Sequence, residues 1–450
     1  MRLWLEGAWE KIQESFWFLP TLLVAGAIAL SLAMIQLDRA TSGRNAVAAL
    51  GWTFTRGPEG SRAVLSTVAG SMMTIASVTF SITIVALQLA SSQFGPRLLR
   101  NFIRDRGNQV SIGTFIATFT YCLLVLRTVN GTQGQQFVPH IAVTVGLVLA
   151  LISLGVFIYF VHHAATSIQV ENVIAGVSRD LHRAIERLYP GITDREPPGP
   201  SSDAELPRGF EEDSSPIGAP QSDYLQAIDL DALVAVACEH DALIALSGRP
   251  GQFFFRGGEL ARVGLAGRLD DELAEAVRGC FYFGPRRSLN QDVEFAVDQL
   301  VEVAVRALSP GINDPFTAIN CVDRLGAALC ALAARSIPSP YRFDDEGRLR
   351  VVADASTVAG IVDASFNQIR QAARLDASVT LRLLETVAAV ARHTDDPDFR
   401  DALRRQADAI HRGSQSGLDD PMDRSAADLR HRQAIASLDR PADADREDYP

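Results

Sequence analysis

A chain of 450 residues has room for two or three folded units. Its mean hydropathy of +0.10, with apolar residues crowded into the first third, points to a membrane part joined to a soluble part. The net charge of −11 excludes a generally basic nucleic-acid binder, and because most of the acidity follows residue 190 the membrane part is left rich in arginine.

Residues 1 to 15 set Leu3, Trp4, Leu5, Trp9 and Ile12 among charges and predict an interfacial helix that feeds the aromatic run Phe16-Trp17-Phe18. No cleavable signal is expected, since this acidic amphipathic start leads directly into a full-length span. Four spans follow, at about residues 16 to 37, 63 to 93, 110 to 129 and 138 to 161, each near or above the ~20 residues that a bilayer requires. The connection between the third and fourth, NGTQGQQF, is uncharged, whereas that between the second and third carries Arg97, Arg100, Arg104 and Arg106. By the positive-inside rule the arginine loop is cytoplasmic, and four spans then place both termini in the cytoplasm. The first connection conflicts in part, because it carries Arg39, Arg44, Arg56 and Arg62 on the side assigned to the exterior.

The transmembrane domain is thus read as residues 1–189. Residues 190–222 are rich in Pro, Ser, Gly and acid and read as a disordered linker. Residues 223–285 read as a small β-rich unit, with a hairpin expected about the turn Gly248-Arg249-Pro250-Gly251. Residues 286–411 read as a helical unit. Its run EFAVDQLVEVAVRAL has apolar residues at three- and four-residue spacing, breaks at Ser309-Pro310-Gly311 and restarts at Asp314-Pro315; a short hairpin, RFDDEGRLRVV, interrupts it later. Residues 412–450 carry charge without an apolar face and read as a disordered tail. The fold class expected is membrane all-α, with four transmembrane helices, joined to a cytoplasmic α+β domain made of a small β unit and a helical bundle.

The blocks SVTFSITIVALQLASSQFGPRLLRNFIRDR, GTFIATFTYCLLVLRTV and YFVHHAATSIQVENVIA, and above all RALSPGINDPFTAINCVDRL, occur in that order. Together they resemble a bacterial family of predicted inner-membrane proteins known as a domain of unknown function. The resemblance covers about residues 16 to 410 and implies four spans with a cytoplasmic C-terminal domain. It brings no activity and no catalytic residues.

Rotating each residue by about 100° places Thr67, Gly70, Ser71, Thr74, Ser77, Ser81, Gln88 and Ser92 on one face of the second span, with Thr79 and Thr83 off it. Small hydroxyl residues suit close helix packing, which is the preferred reading of this face; the functional alternative is that in an oligomer Thr67, Ser71, Thr74, Ser77, Ser81 and Gln88 line a hydrated path. Arg97, Arg100 and Arg104 share one helical face and suit anionic lipid headgroups, or the inner mouth of a pore. No Asp or Glu lies deep in a span, which argues against an ion-coupled pump, and Arg127 is read as snorkelling to the interface. His162-His163 is read as interfacial rather than as metal-ligating.

In the soluble part, Asn313 or Asp314 is expected to cap the helix that Pro315 opens, with Arg306, Asn320, Asp323 and Arg324 pairing across the corner. Alternatively the corner forms an anion pocket or subunit contact, completed by Arg286 and Arg287. The five cysteines form no CxxC pair, and there is no phosphate loop, nucleophile elbow or metalloprotease motif, so no metal, no cofactor and no enzymatic activity are expected. The expected function is an oligomeric channel-like conduit with a cytoplasmic regulatory domain. The alternative is a non-conducting sensor or scaffold that binds a partner or small anion. The partners expected are the lipid bilayer, further copies of the chain and a small anion or ion, with no nucleic acid.

Overall fold

The computed structural model describes residues 17–41, 57–95, 105–129, 137–191, 206–207, 209–264, 269–353 and 356–442. The expected interfacial helix at residues 1–15 lies outside these, as do residues 192–205 and 208 of the stretch read as a linker. The chain divides into two compact units, Met1–Asn172 and Val173–Pro450.

Among the described residues unit one holds four apolar helices, α1 (Phe18–Thr41), α2 (Pro58–Phe94), α3 (Arg106–Thr128) and α4 (His140–Ser167), at the positions the hydropathy pattern predicts. The other three pack around α3, of whose apolar window 56% is buried against 17–22% in its neighbours. Glycines allow the approach. A Cβ on Gly113 would lie 2.7 Å from Leu23 and 3.0 Å from the backbone of Pro20, so α1 and α3 touch almost backbone to side chain. Phe115, Tyr121, Cys122 and Val125 of α3 are fully buried between α2 and α4, and Thr118 shares a 2.9 Å hydrogen bond with Ser153 across the α3–α4 contact. In a bilayer, where apolar surface alone gives helices little reason to associate, such close packing and cross-helix hydroxyl bonding hold the unit together.

Unit two contains most of the helix α5 (Val170–Leu188) and two sheets. The first sheet has five strands in the order β1 (Ser214–Gly218), β5 (Glu259–Gly264), β3 (Leu243–Leu246), β8 (Leu349–Val352), β7 (Tyr341–Phe343); β3 and β8 are parallel. The second is β4 (Phe253–Phe254), β2 (Asp223–Ile228), β6 (Phe281–Gly284). Helices α6 (Leu230–Glu239) and α7 (Asp271–Gly279) pack with both sheets around Leu225, Leu233, Ile244, Leu260 and Val277. A bundle follows: α8 (Val293–Ala307), α9 (Pro315–Ala333), α10 (Val358–Ala372), α11 (Ala377–Ala391), α12 (Pro397–Gly417) and α13 (Pro421–Leu438). Aspartates N-cap α6, α7, α8, α9, α11, α12 and α13, where a carboxylate meets free N–H groups and the positive end of the helix dipole.

Among the described residues five helices are long and apolar enough to cross a membrane: α1 to α4, and α9 in unit two.

Three sequence expectations change. The hairpin about Gly248 to Gly251 does not form, because β3 pairs with β5 and β8 while the far side of the turn bonds to β2, with Gly251 N–H donating to Leu225 O and Leu225 N–H to Gln252 O. The β region is not confined to 223–285, since β1 falls in the stretch read as linker and the hairpin β7–β8 joins β3 from within the stretch read as helical. Residues 412–438 are not a tail. The helix α12 runs on to Gly417, and α13 is held chiefly by polar contacts: Arg430 pairs with Glu385 at 2.7 Å, His431 with Asp408 at 2.8 Å and Arg404 with Asp439 at 2.6 Å. Only Ala427, Ala434 and Leu438 of α13 are buried, which is why no apolar face is visible in its sequence.

Candidate functional site

The helix α2 has two faces of different character. Ser61, Leu65, Ala69, Met72, Ala76 and Thr79 are buried and recur at three- and four-residue spacing, the period of a helix packed along its length. Met72 and Ala76 meet Phe115, and Leu65 and Ala69 share a cluster with Tyr121 and Cys122. Thr67, Gly70, Ser71, Thr74, Ser77, Ser81, Gln88 and Ser92 are all exposed. The polar seam therefore turns away from the subunit's own core, and packing inside the subunit does not account for it.

Local bonds satisfy most seam hydroxyls. Thr67 donates to Ala63 O at 2.7 Å, Thr74 to Gly70 O at 3.1 Å, Ser77 to Met73 O at 2.9 Å and Ser81 to Ser77 O at 3.0 Å. Such back-bonding lets a hydroxyl stand in an apolar setting. Ser71 and Gln88 have no hydrogen-bond partner among the described residues, and the Gln88 amide has no local bond to fall back on. Thr79, off the seam as expected, is fully buried and its hydroxyl has no partner among the described residues. Arg97, Arg100 and Arg104 lie outside the described residues.

Polar groups at the helix ends tie unit one together. Asp38, 6% exposed in the last turn of α1, accepts from the N–H groups of Ile141 at 3.0 Å and Ala142 at 2.9 Å, capping α4 from another helix. Arg62 donates to Val129 O at the end of α3 at 2.6 and 3.2 Å, and Arg39 lies over the Phe137 ring at 5.9 Å. Arg127 is exposed in the last turn of α3. Elsewhere in the unit Asp105 caps α3 through Gly107 N–H at 2.7 Å and pairs with His163 Nε2 at 2.7 Å, while His163 stacks on Tyr159. His162 is exposed, and among the described residues no three Cys, His, Asp or Glu side chains converge as metal ligands. Sequence reasoning missed Asp38, which reads there only as the polar end of a span. Its signal was an acid beside an arginine, directly after the apolar run gives out at Leu37.

In unit two the structure gives the residues of the SPGINDPF corner separate partners. Asp314 caps α9, accepting from Thr317 N–H at 3.1 Å and the Thr317 hydroxyl at 2.6 Å; Asn313 precedes it in the left-handed region at φ 51°. Asp323 pairs with Arg382 of α11 at 2.5 Å rather than across the corner, and Arg324 is exposed. Arg306 lies in the last turn of α8. Arg287 is held by Asp292 at 2.7 and 2.9 Å and by Asp298 at 2.5 Å, over the Phe295 ring. Burial alone would lower the pKa of Arg287, and the two carboxylates more than reverse that, so its charge is matched within the fold. Arg286 is exposed and contributes its carbonyl oxygen to Gln226. Ile312 and Phe316 stand out from the corner, Phe316 at 83% exposure.

A family profile described as predicted membrane protein (DUF2254) matches residues 13–389, and the chain belongs to that family. Two relatives, each named an uncharacterized protein, one from Mycobacterium bovis and one from Mycobacterium tuberculosis, are 34% identical over 426 residues, covering 92% of this chain and 79% of theirs. No solved structure matches the chain.

Proposed function

We propose that this DUF2254 member is an oligomeric, channel-like conduit of the bacterial inner membrane, with four spans per chain, both termini cytoplasmic and a regulatory C-terminal unit. The spans are α1 to α4. The fifth apolar helix, α9, is assigned to the C-terminal bundle, because it carries Asp323 and Arg324 along its length and Asp323 is tied to Arg382 of α11, groups that lipid would expel.

The observation that carries this function is the outward seam of α2. Every candidate pore-lining residue, Thr67, Ser71, Thr74, Ser77, Ser81 and Gln88, is exposed in the single chain. A face of small hydroxyl residues is matched better by a second such face than by acyl chains. Copies meeting along α2 about a rotation axis close a ring, and Gln88, which back-bonding does not satisfy, gains water or a neighbour on that axis. The conduit is preferred to an anion sensor because Arg287, which the anion pocket requires, is already matched by Asp292 and Asp298.

Reconstitution in planar bilayers tests it. The wild-type protein should carry current that Ser81→Leu and Gln88→Leu diminish. No current under varied salt, voltage and tension would rule the conduit out.

A further inference from the structure

Unit two contains a cavity of about 1070 Å³, walled by the end of α9, the segment 335–340, the approach to α10 and the start of α12. It is at the upper end of the size that encloses small organic ligands. Its apolar surface comes from Leu246, Leu332, Val352 and Phe399.

Six ionisable groups line it: Asp395, Asp396, Asp398, Asp401, Arg335 and Arg405. Three have work within the fold. Asp395 pairs with Arg400 at 2.8 Å and accepts from Ala442 N–H; Asp396 caps α12 through Phe399 N–H; Arg335 donates to the carbonyls of Glu186 and Tyr189. The other three, Asp398, Asp401 and Arg405, recur at i, i+3 and i+7 on one face of α12 and have no partner among the described residues. Asp401 and Arg405, four apart on a helix, are well placed for an ion pair yet do not make one. Two carboxylates and one guanidinium are thus available beside an apolar wall. The whole of α12 lies beyond residue 389, where the family match ends.

We infer that this cavity binds a small amphipathic amine, its ammonium between Asp398 and Asp401 and its apolar body against Leu246, Val352 and Phe399. The carboxylate excess selects against an anion of the same shape. This site is independent of the conduit and of the α2 seam.

Tryptamine and indole-3-propionate, two probes of similar shape and opposite charge, test the assignment on the full-length protein in lipid nanodiscs. Isothermal titration, with empty nanodiscs subtracted, should give saturable tryptamine binding at one site per chain and none for indole-3-propionate. Asp398→Asn with Asp401→Asn, which breaks no bond within the fold, should weaken tryptamine about two- to thirtyfold, the range for two exposed charge contacts. Ala359→Phe, in the first turn of α10 on the cavity wall, should weaken binding by narrowing the space. No tryptamine binding above the empty discs, equal binding of the two probes, or tryptamine affinity unchanged in the double variant would each overturn the proposal.

Discussion

Replacing Asp38 by alanine should loosen the start of α4. Two N–H groups, those of Ile141 and Ala142, lose a buried charged acceptor and have no carbonyl one turn earlier to replace it. A buried donor left unpaired costs about 1–3 kcal/mol, so two put the loss near 3 kcal/mol. If local opening governs amide exchange, that corresponds to about a hundredfold acceleration. Asp38→Asn keeps one acceptor oxygen and should lose about half as much. Hydrogen exchange on the reconstituted protein, read by mass spectrometry on a peptide spanning residues 141–142, measures both. Exchange in Asp38→Ala within about twofold of wild type would refute the idea that this carboxylate holds α4 in place.

Gly113→Ala should push α1 from α3, since its Cβ meets the Pro20 backbone at 3.0 Å; about 1–3 kcal/mol of stability, read by thermal unfolding, is the expected cost. Arg287→Met leaves Asp292, whose side chain is 3% exposed, and Asp298 without their counter-charge, so a loss of about 3–5 kcal/mol is expected in chemical denaturation. Asp314→Ala removes the α9 cap and should cost about 1 kcal/mol, with Asp314→Asn milder. At Glu385 burial works to raise the pKa, but Arg430 and Arg382 outweigh it and hold the carboxyl below its ordinary value. Its contribution is therefore fully present above about pH 4.5 and fades as the pH falls through the lowered folded value, so Glu385→Gln should flatten the acid limb of the stability profile.

Hydropathy located α1 to α4 because a bilayer-length apolar run has few alternatives. It said less about unit two, where two-residue strands such as Phe253-Phe254 are defined by partners distant in sequence and carry no period of their own. The helix α13 was missed because charge, not burial, fastens it. A signal for it was nonetheless present: Asp314-Pro315, Asp396-Pro397 and Asp420-Pro421 are the same helix start, a capping carboxylate followed by proline at the first helical position. Only the first stands beside an apolar run that draws attention. At the candidate site the helical period separated the seam from Thr79 correctly, but which face met α3 was not legible, because small residues lie on both: Gly70 and Ser71 outward, Ala69 and Ala76 inward.

The arginines of the first connection bear on the topology proposed for the spans. The positive-inside rule reflects charges that resist translocation, and it is weighed with all four counted alike. Arg62, however, is bonded through two nitrogens to the carbonyl that ends α3, and Arg39 lies over Phe137. Arg62 thus answers to a helix end that needs a donor and Arg39 to an aromatic ring, at the two ends of the uncharged third connection. Setting those two apart leaves Arg44 and Arg56 in the first connection against Arg97, Arg100, Arg104 and Arg106 in the second. The imbalance then favours a cytoplasmic second connection, the orientation proposed above.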